Sequence, residues 1–308
     1  MIDALCNGLR KKYGEITVCH GPVINYLGMV FNLTVKGEAK VTMEGYLEDM
    51  LNSTDIMGRA RTPGTNTLFE TRPGAKLATP DEQTEFHRIV AKILYLAKRA
   101  RPDCLTAVAF LATRVSKCDE DDISKLKRLV RYIRATKDRG LIFRIGAGGI
   151  SVRLLVDAAY GVHEDGKSHT GSCVVIGDVG AVHCKSTKQH IVTKSSTEAE
   201  LVGLSDSANQ GLHIRNFIQA QGYKVGPVTI HQDNMSCMAL VQRGRAAGER
   251  SRHINIRYYW IKERVENGEA VVQHMGTKEM YANLLTKPLQ GSQFVSERDE
   301  LTGWVTII

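Results

Sequence analysis

The stretch from Leu154 to Ala159, which reads LLVDAA, decides the fold of this chain. Three apolar residues are followed by one carboxylate, Asp157, and then by two small residues. A short apolar run of this kind predicts a buried strand, and a strand that ends at Asp157 places its carboxylate at the edge of a sheet. Asp157 could also be only a turn-forming residue at the end of a strand. Its role therefore depends on the elements around it.

Strands and helices alternate on both sides of this stretch. Periodicity and turn residues predict strands at 152–156, 171–176, 181–185, 228–231 and 270–274 and helices at 197–221, 235–242, 255–267 and 278–286. The first three strands are joined by short connections and predict an antiparallel meander. The whole order predicts an α/β fold with a mixed sheet and helices on both faces.

Two further carboxylates occupy places that such a sheet brings together. Glu200 lies near the start of the helix at 197–221, behind a run of Ser and Thr, where an acidic residue also favours the helix N-terminus for dipole reasons alone. Asp233 directly follows the strand at 228–231 and could be a helix cap, with Asn234 as a competitor. Hydrolysis of a phosphodiester by two divalent cations needs acidic side chains that converge on metals about 3.5 to 4 Å apart. Asp157, Glu200 and Asp233 are therefore candidate metal ligands.

The first half of the chain is more basic than the second. The net charge is +8, and residues 1–150 hold 24 Lys and Arg against 17 Asp and Glu, whereas residues 151–308 hold 17 against 16. A predicted helix from 119 to 137 concentrates the cations Lys127, Arg131 and Arg134, which could follow a phosphate backbone or form only a solvated face. In the second half, Lys185, Lys188 and Lys194 are close in sequence to Glu200 and could contact phosphates.

The rest of the first half predicts a mixture of strands and helices. A strand at 23–35 enters a hairpin whose return is 39–43, a Pro- and Gly-containing connector covers 58–84, and helices follow at 82–98 and after Asp103. Gly146 to Gly149 contains three glycines in four residues and predicts a linker. We place a domain boundary there.

Cysteine usage and hydropathy set the cellular context that we expect. Seven cysteines are scattered without a C-x-x-C pair, which predicts free thiols and neither a zinc site nor a disulfide framework. No stretch approaches the roughly 18 consecutive apolar residues of a membrane span. We expect an intracellular protein, cytoplasmic or nuclear, that has no membrane partner.

Several motifs in a fixed order carry a resemblance to a known family. The second half closely resembles the RNase H region of copia-type LTR retrotransposon polyproteins, and the first half resembles the end of the reverse transcriptase and its connection. The motifs of the second half are VDAAY at 156–160, GKSHTG at 166–171, KSTKQ at 185–189, SSTEAEL at 195–201, QDN at 232–234, HINIRYY at 253–259 and LLTKPL at 284–289. Those of the first half are YLGM at 26–29, RTP at 61–63, ILYL at 93–96, RPD at 101–103 and LVRYIRAT at 129–136.

The resemblance implies a division of the chain and an activity. Residues 1–145 would be a partial reverse transcriptase segment, post-palm and thumb- or connection-like, 151–290 an RNase H-like domain with a five-stranded mixed sheet, and 291–308 a C-terminal tail. The implied activity is metal-dependent cleavage of the RNA strand of RNA–DNA hybrids, with two Mg²⁺ or Mn²⁺ ions. Asp157 would bridge the ions and Glu200 and Asp233 would complete the ligand set, with Glu200 preferred to Glu198 because it directly precedes Leu201. His253, in a family motif, is expected to brace its helix.

The sequence departs from the family pattern at two points. Where the family has a fourth acidic residue before the Leu-Thr-Lys run, this chain has Asn283, which keeps a neutral oxygen but removes a negative charge from the catalytic site. The Tyr-x-Asp-Asp polymerase motif does not occur, so DNA synthesis by this chain alone is not expected. The remaining reverse transcriptase domains are possible partners beside the hybrid. The alternative function is a catalytically silent nucleic-acid-binding module of the same fold, and an integrase-like transferase is disfavoured by the spacing of the three acids.

Overall fold

The first half of the chain is a small sheet and a group of helices. The computed structural model of this 308-residue protein describes residues 2–146, 148–243 and 252–305. The elements described in the first half are α1 (Ile2–Tyr13), β1 (Val23–Tyr26), β2 (Met29–Asn32), β3 (Glu38–Thr42), α2 (Glu44–Asn52), α3 (Pro80–Ala97), a 3-10 turn at Pro102–Cys104, α4 (Leu105–Ala112), α5 (Glu120–Ala135) and β4 (Leu141–Arg144).

Two of the predicted helices begin at reciprocal caps. Thr79 and Glu82 form a capping box at the start of α3, with Pro80 in the first turn, and Asp119 and Asp122 do the same for α5. These side chains satisfy backbone N–H groups that have no partner inside the helix. The helices predicted at 82–98 and from Asp119 are confirmed, with starts fixed by these caps.

The small sheet corrects the strand predicted at 23–35. That segment is two strands, β1 and β2, which reverse at Leu27 and Gly28, where φ is 50° and 78°. Gly28 adopts this left-handed conformation at little cost, and the apolar residues around it masked the turn. The sheet continues with β3 and ends with β4, which pairs antiparallel with β3 from a hundred residues further along the chain. Sequence periodicity had not indicated β4.

The second half contains the five-stranded mixed sheet that the sequence predicts. Its elements are β5 (Val152–Ala159), β6 (His169–Ile176), β7 (Ala181–Lys188), α6 (Ser196–Ala220), β8 (Val228–Gln232), α7 (Met235–Arg243), α8 (Arg252–Glu266), β9 (Ala270–His274), a 3-10 segment at Tyr281–Leu285 and α9 (Gly291–Thr302). The spatial order is β7-β6-β5-β8-β9. β5, β6 and β7 are antiparallel, and β8 and β9 run parallel to β5.

Helices α6 to α8 supply the residues that pack on one face of this sheet. Leu154, Val156 and Val174 of the strands form a buried cluster with Leu201, Leu204 and Ala208 of α6. Gly211 lets α6 approach closely, because a Cβ there would stand 3.0 Å from Val228 Cγ1. We call this cluster the α6-side core, and its buried members in the described part of the chain lie between 152 and 270.

The other face packs against the first half of the chain. Leu155, Cys173 and Val175 belong to one buried cluster with residues of α2 to α5, the 281–285 segment and α9. We call this cluster the shared core. Thr106 of α4 donates a hydrogen bond to Leu284 O at 2.5 Å. The segments on either side of the Gly146 to Gly149 stretch therefore pack against each other.

The C-terminal part of the chain differs from the predicted helix at 278–286. The structure has only the short 3-10 segment 281–285, which follows a turn. α9 comes next, in the region expected to be a tail, and its Phe294 packs edge-on against Tyr132 with ring centroids 5.6 Å apart. Burial against the sheet, α4 and α9 holds the 281–285 segment in a place that local helix propensity alone does not give. Among the described residues, no helix is long and apolar enough to cross a membrane.

Candidate metal centre

Three carboxylates meet at one edge of the five-stranded sheet. Asp157 lies near the C-terminal end of β5, Asp233 follows β8, and these neighbouring strands are parallel, so their C-terminal ends share an edge. Glu200, five residues into α6, completes the group. Ligand oxygens of the three residues all lie within 4.8 Å of one another. Asp157 and Glu200 are buried, and Asp233 is half-buried.

Burial and mutual repulsion raise the pKa of one of these acids, Glu200. Burial, together with the negative charges of Asp157 and Asp233, raises the pKa of Glu200 to about 8. Carboxylates that repel one another in a buried site favour a proton or a cation. The arrangement therefore attracts positive charge.

Glu198, the competing acid on the same helix, has a different position. Its carboxylate accepts a hydrogen bond from the Lys194 backbone N–H at 2.7 Å, next to the Ser195 cap of α6. It acts at the helix N-terminus and does not belong to the cluster of three acids. The structure therefore brings Glu200, not Glu198, to Asp157.

Gln232 connects two of the acids, and sequence reasoning gave it no role. Its side chain is fully buried, and its Nε2 donates to Glu200 Oε2 at 3.2 Å. Its Oε1 accepts hydrogen bonds from the backbone N–H groups of Asp233 and Asn234 at 2.8 and 3.0 Å. The sequence signal that could have identified this role is an amide side chain directly before Asp233, at the end of the strand. Gln232 fixes Glu200 relative to the turn that carries Asp233.

Asn283 reaches the centre through a lysine. Its Oδ1 accepts from Lys287 Nζ at 2.6 Å, and its Nδ2 donates to Thr277 O at 2.9 Å. Lys287 Nζ also lies 3.2 Å from Asp157 Oδ1, and the Thr286 hydroxyl donates to the other oxygen of Asp157. Asn283 is buried. The roles of Lys287 and Thr286 were missed, although both lie in the quoted LLTKPL motif.

Gly171 makes the contact between Asp157 and the 281–285 region possible. It pairs with Asp157 across β5 and β6. A Cβ at this position would stand 2.7 Å from Leu285 Cβ and Thr286 Cγ2 and 2.8 Å from a backbone atom of Leu285. Only glycine allows this backbone to lie directly on the sheet.

The residues of the centre fit a hard divalent cation. The three groups offer carboxylate oxygens, the ligand type that Mg²⁺ and Mn²⁺ take in proteins. Their positions are fixed by a strand, a helix and a strand-end turn, so a cation would bind between elements that already exist. The donor set supports the expected metal, and it consists of Asp157, Glu200 and Asp233.

The basic helix α5 uses part of its charge inside the protein. Arg131 Nε donates to Met57 O at 2.9 Å, and Arg134 Nη2 donates to Leu51 O at 3.1 Å. These two arginines therefore anchor the end of α2 and the segment that follows it. Lys127 is exposed on the same helix.

A basic groove lies between the two halves of the chain. Its volume is about 970 Å³, and its lining includes Lys98 directly after α3, Lys185 and Lys188 of β7, and Arg257 and Trp260 of α8. Lys188 also pairs with Asp165 at 2.8 Å, and Lys98, which sequence reasoning missed, is exposed. Lys194 is exposed in the loop before α6. The side chain of His253, for which a bracing role was expected, lies outside the described residues.

Two buried histidines support the 281–285 segment through Ser186. His163 Nε2 lies 3.0 Å from His169 Nδ1, His169 Nε2 lies 2.8 Å from Ser186 Oγ, and Ser186 donates to Leu285 O at 2.7 Å. Phe69, from the connector before α3, packs against both imidazoles. Burial lowers the pKa of His163 to about 4 and that of His169 to about 3. The pair links the connector to the metal centre.

Comparison with known proteins agrees with the resemblance in the sequence. The chain is 30% identical over 222 residues to the retrovirus-related Pol polyprotein from transposon RE1 of Arabidopsis thaliana, a match of 72% of this chain and 15% of that protein. It is 25% identical over 283 residues to the corresponding polyprotein from transposon TNT 1-94 of Nicotiana tabacum, a match of 89% of this chain and 21% of that protein. The homologues of this chain are Pol polyproteins of copia-type transposons. It spans about a fifth of their length or less. No protein-family model matches.

Solved structures also resemble parts of the chain. An RNase H1 isolated from compost is 15% identical, with coverage of 44% of this chain and 91% of that protein and a TM-score of 0.34. A foamy viral protease-reverse transcriptase, solved with an RNA/DNA hybrid, is 12% identical, with coverage of 83% and 29% and a TM-score of 0.45. The mixed five-stranded sheet expected for an RNase H-like fold is confirmed by the strand order itself.

Proposed function

We propose that this segment is a metal-dependent ribonuclease H that cleaves the RNA strand of RNA–DNA hybrids, within a longer intracellular reverse transcriptase polyprotein. The observation that carries the proposal is the convergence of Asp157, Glu200 and Asp233 from three separate elements to within 4.8 Å. Polymerase activity is not part of the proposal, because the Tyr-x-Asp-Asp motif does not occur in the chain.

The residues of the centre have distinct duties in this proposal. Bound divalent cations, two of them in the proposed mechanism, would supply an activated water and stabilise the charge on the leaving oxygen. Asp157, Glu200 and Asp233 would hold the cations, with Asp157 expected to be shared between them, and Gln232 orients Glu200 through its hydrogen bond. The buried setting strengthens each of these electrostatic interactions.

Asp157→Asn in the full chain tests the nuclease. We expect the loss of hybrid cleavage to exceed the roughly 10–100-fold typical of residues that only support a ligand, because this carboxylate would bind metal directly. Cleavage of a labelled hybrid in Mg²⁺ and in Mn²⁺ measures it, with Asp138→Asn, a change of an exposed acid outside the group of three, as the control for net charge. Wild-type cleavage by Asp157→Asn would remove this residue from the ligand set.

The hybrid is proposed to bind along basic surfaces. Lys185 and Lys188 line the groove of about 970 Å³, while Lys127 is exposed on α5 and Lys194 before α6. Arg131 and Arg134 also belong to this proposal, although part of their hydrogen bonding is already used within the protein. Each phosphate contact adds about 0.9 to the slope of log K against log salt. Replacing Lys185 or Lys127 with Gln should lower that slope, and an unchanged slope would identify a solvated lysine.

A silent binding module is the second candidate because of two features. Asn283 stands where the family resemblance implies an acid, and Lys287 places a positive charge on Asp157. Both features reduce the negative charge available to metals. Asn283→Asp discriminates between the two functions: for a nuclease, we expect cleavage at lower Mg²⁺ concentration with unchanged hybrid affinity. A protein that cleaves nothing before and after this change, in either metal, would be a binding module.

A further inference from the structure

We propose that Lys287 is a tethered cation of the metal centre, which neutralises Asp157 and must yield it when a divalent cation binds. The inference rests on the proposed metal site but concerns a residue of this chain that has no assigned role. It predicts that Lys287 opposes metal binding, although it lies next to the ligands.

The contacts of Lys287 place its charge on the most buried acid of the centre. Its Nζ lies 3.2 Å from Asp157 Oδ1, whose side chain is 2% exposed. Among the ion pairs of the described residues, this is the one that involves any of Asp157, Glu200 and Asp233. A buried carboxylate without a partner is costly, and this ammonium supplies the compensating charge.

A metal and this ammonium cannot share Asp157 without strong repulsion. A divalent cation stands about 2.0 to 2.6 Å from a carboxylate oxygen. If the metal binds Asp157 Oδ1, which lies 3.2 Å from Lys287 Nζ, the two cations would lie within about 6 Å of each other. Repulsion at this distance is substantial in a partly buried site. The ammonium therefore has to move away from Asp157, or it weakens the binding of the metal.

The structure gives Lys287 a place to move. Its side chain is 41% exposed, and it borders a groove of about 590 Å³ lined by Phe69 and Thr71 of the connector, Ala159 of β5 and Pro288. The backbone stays fixed, because Lys287 N donates to Asn283 O at 2.8 Å. Rotation of the side chain alone can thus carry the charge from Asp157 into the groove.

Asn283 affects how strongly Lys287 Nζ is held next to Asp157. Its Oδ1 is the second acceptor of Lys287 Nζ, at 2.6 Å, and it is a neutral oxygen. A neutral acceptor attracts an ammonium less than a carboxylate does. Asparagine at position 283, where the resemblance implies an acid, therefore also holds Lys287 less strongly than an aspartate would.

The sign of one measurement separates competition from bracing. If Lys287 only held the 281–285 segment in place, its removal would disturb the site and weaken metal binding. If it competes, its removal strengthens metal binding. No loss of structure can produce the second result.

The experiment titrates Mn²⁺ into the full chain by calorimetry, without nucleic acid. We expect Lys287→Gln to bind Mn²⁺ about three- to tenfold more tightly than the wild type, a range set by a partly exposed ion pair. Lys287→Arg, which keeps the charge, should stay near the wild type. Lys278→Gln is the matched control, since Lys278 is exposed and forms no ion pair among the described residues. Equal or weaker binding by Lys287→Gln overturns the proposal.

A second measurement uses the wild-type protein and does not depend on the folding of a variant. Acetylation of Lys287 by an amine-reactive reagent, followed by mass spectrometry, should become faster at saturating Mn²⁺, whereas Lys278 should react at the same rate. An unchanged rate at Lys287 while Mn²⁺ binds would overturn the proposal.

Hybrid cleavage, measured in parallel, keeps this inference apart from the proposed function. Wild-type cleavage with equal Mn²⁺ affinities for wild type and Lys287→Gln would refute the role of Lys287 and leave the nuclease standing. Tighter Mn²⁺ binding by Lys287→Gln without cleavage would support the role of Lys287 and refute the nuclease. Failure of both proteins to bind Mn²⁺ would refute both.

Discussion

The two faces of the five-stranded sheet are covered in different ways. Leu154 and Leu155 are adjacent and fully buried, but Leu154 packs in the α6-side core and Leu155 in the shared core. The α6-side core draws on residues between 152 and 270, whereas the shared core draws on residues between 43 and 301. One face is thus completed by nearby sequence and the other by distant elements.

The metal centre depends on both faces. Glu200 is supplied by α6, on the locally built side. Asp157 contacts Thr286 and Lys287, which follow the 281–285 segment on the side of the shared core. The comparison shows that residues on the side of the shared core can still adjust a site whose acids lie on the sheet and on α6. It also implies that residues 1–145 pack against and support the second half, in addition to the role in substrate binding that we propose for them.

The largest expected effect tests whether the shared core is one energetic unit. Leu155→Ala should lower the free energy of unfolding by about 2–5 kcal/mol, because it leaves a cavity among fully buried side chains. Leu154→Ala should cost about the same. Hydrogen exchange should then distinguish them, with faster exchange in the 281–285 segment for Leu155→Ala and in α6 for Leu154→Ala. The same pattern for both variants would contradict the separation of the two faces.

Acid should weaken the shared side through its histidine pair. Unfolded histidines take up protons near pH 6.5, whereas His163 and His169 do so in the folded protein only near pH 4 and 3. Between these values the unfolded state binds more protons, so stability is full above about pH 6.5 and falls as the pH decreases toward 4. The shift of His163 corresponds to roughly 3 kcal/mol.

Denaturant unfolding at several pH values measures this acid dependence. His163→Gln should flatten the fall in stability between pH 6.5 and 4. His213→Gln, which changes an exposed histidine of α6, should leave the pH profile unchanged. An equally steep profile in His163→Gln would mean that other groups control acid unfolding.

The smallest effect compares two glycines on opposite faces. Gly171→Ala should destabilise the protein by about 1–3 kcal/mol and reduce cleavage, because the new Cβ would overlap Leu285 and Thr286. Gly203→Ala in α6 should be close to neutral, since its Cβ would meet Thr170 Cγ2 at 3.3 Å while alanine favours the helix by up to about 1 kcal/mol. Thermal unfolding of both variants measures the difference. A harmless Gly171→Ala would show that the 281–285 segment moves freely on the sheet.

Sequence patterns predicted most of the second half for a physical reason. A buried strand and an amphipathic helix each leave a periodic pattern, so β5 to β9, α6 and the clustering of Asp157 with Glu200 and Asp233 could be inferred from residues close in sequence. Several of the motifs that carried the family resemblance, such as VDAAY and SSTEAEL, lie in or next to the same elements. Strand-end positions on parallel neighbours were sufficient to bring two of the acids together.

What the sequence by itself determined is therefore the mixed sheet, its α6-side core and the three acids at its edge. Only the tertiary structure decided the pairing of β4 with β3, the short 281–285 segment, the packing of α9 and the contact of Lys287 with Asp157 and Asn283. These features depend on contacts between residues that are far apart in the chain. Local periodicity carries no information about such contacts, because the pattern of one element does not identify the distant surface that it will cover.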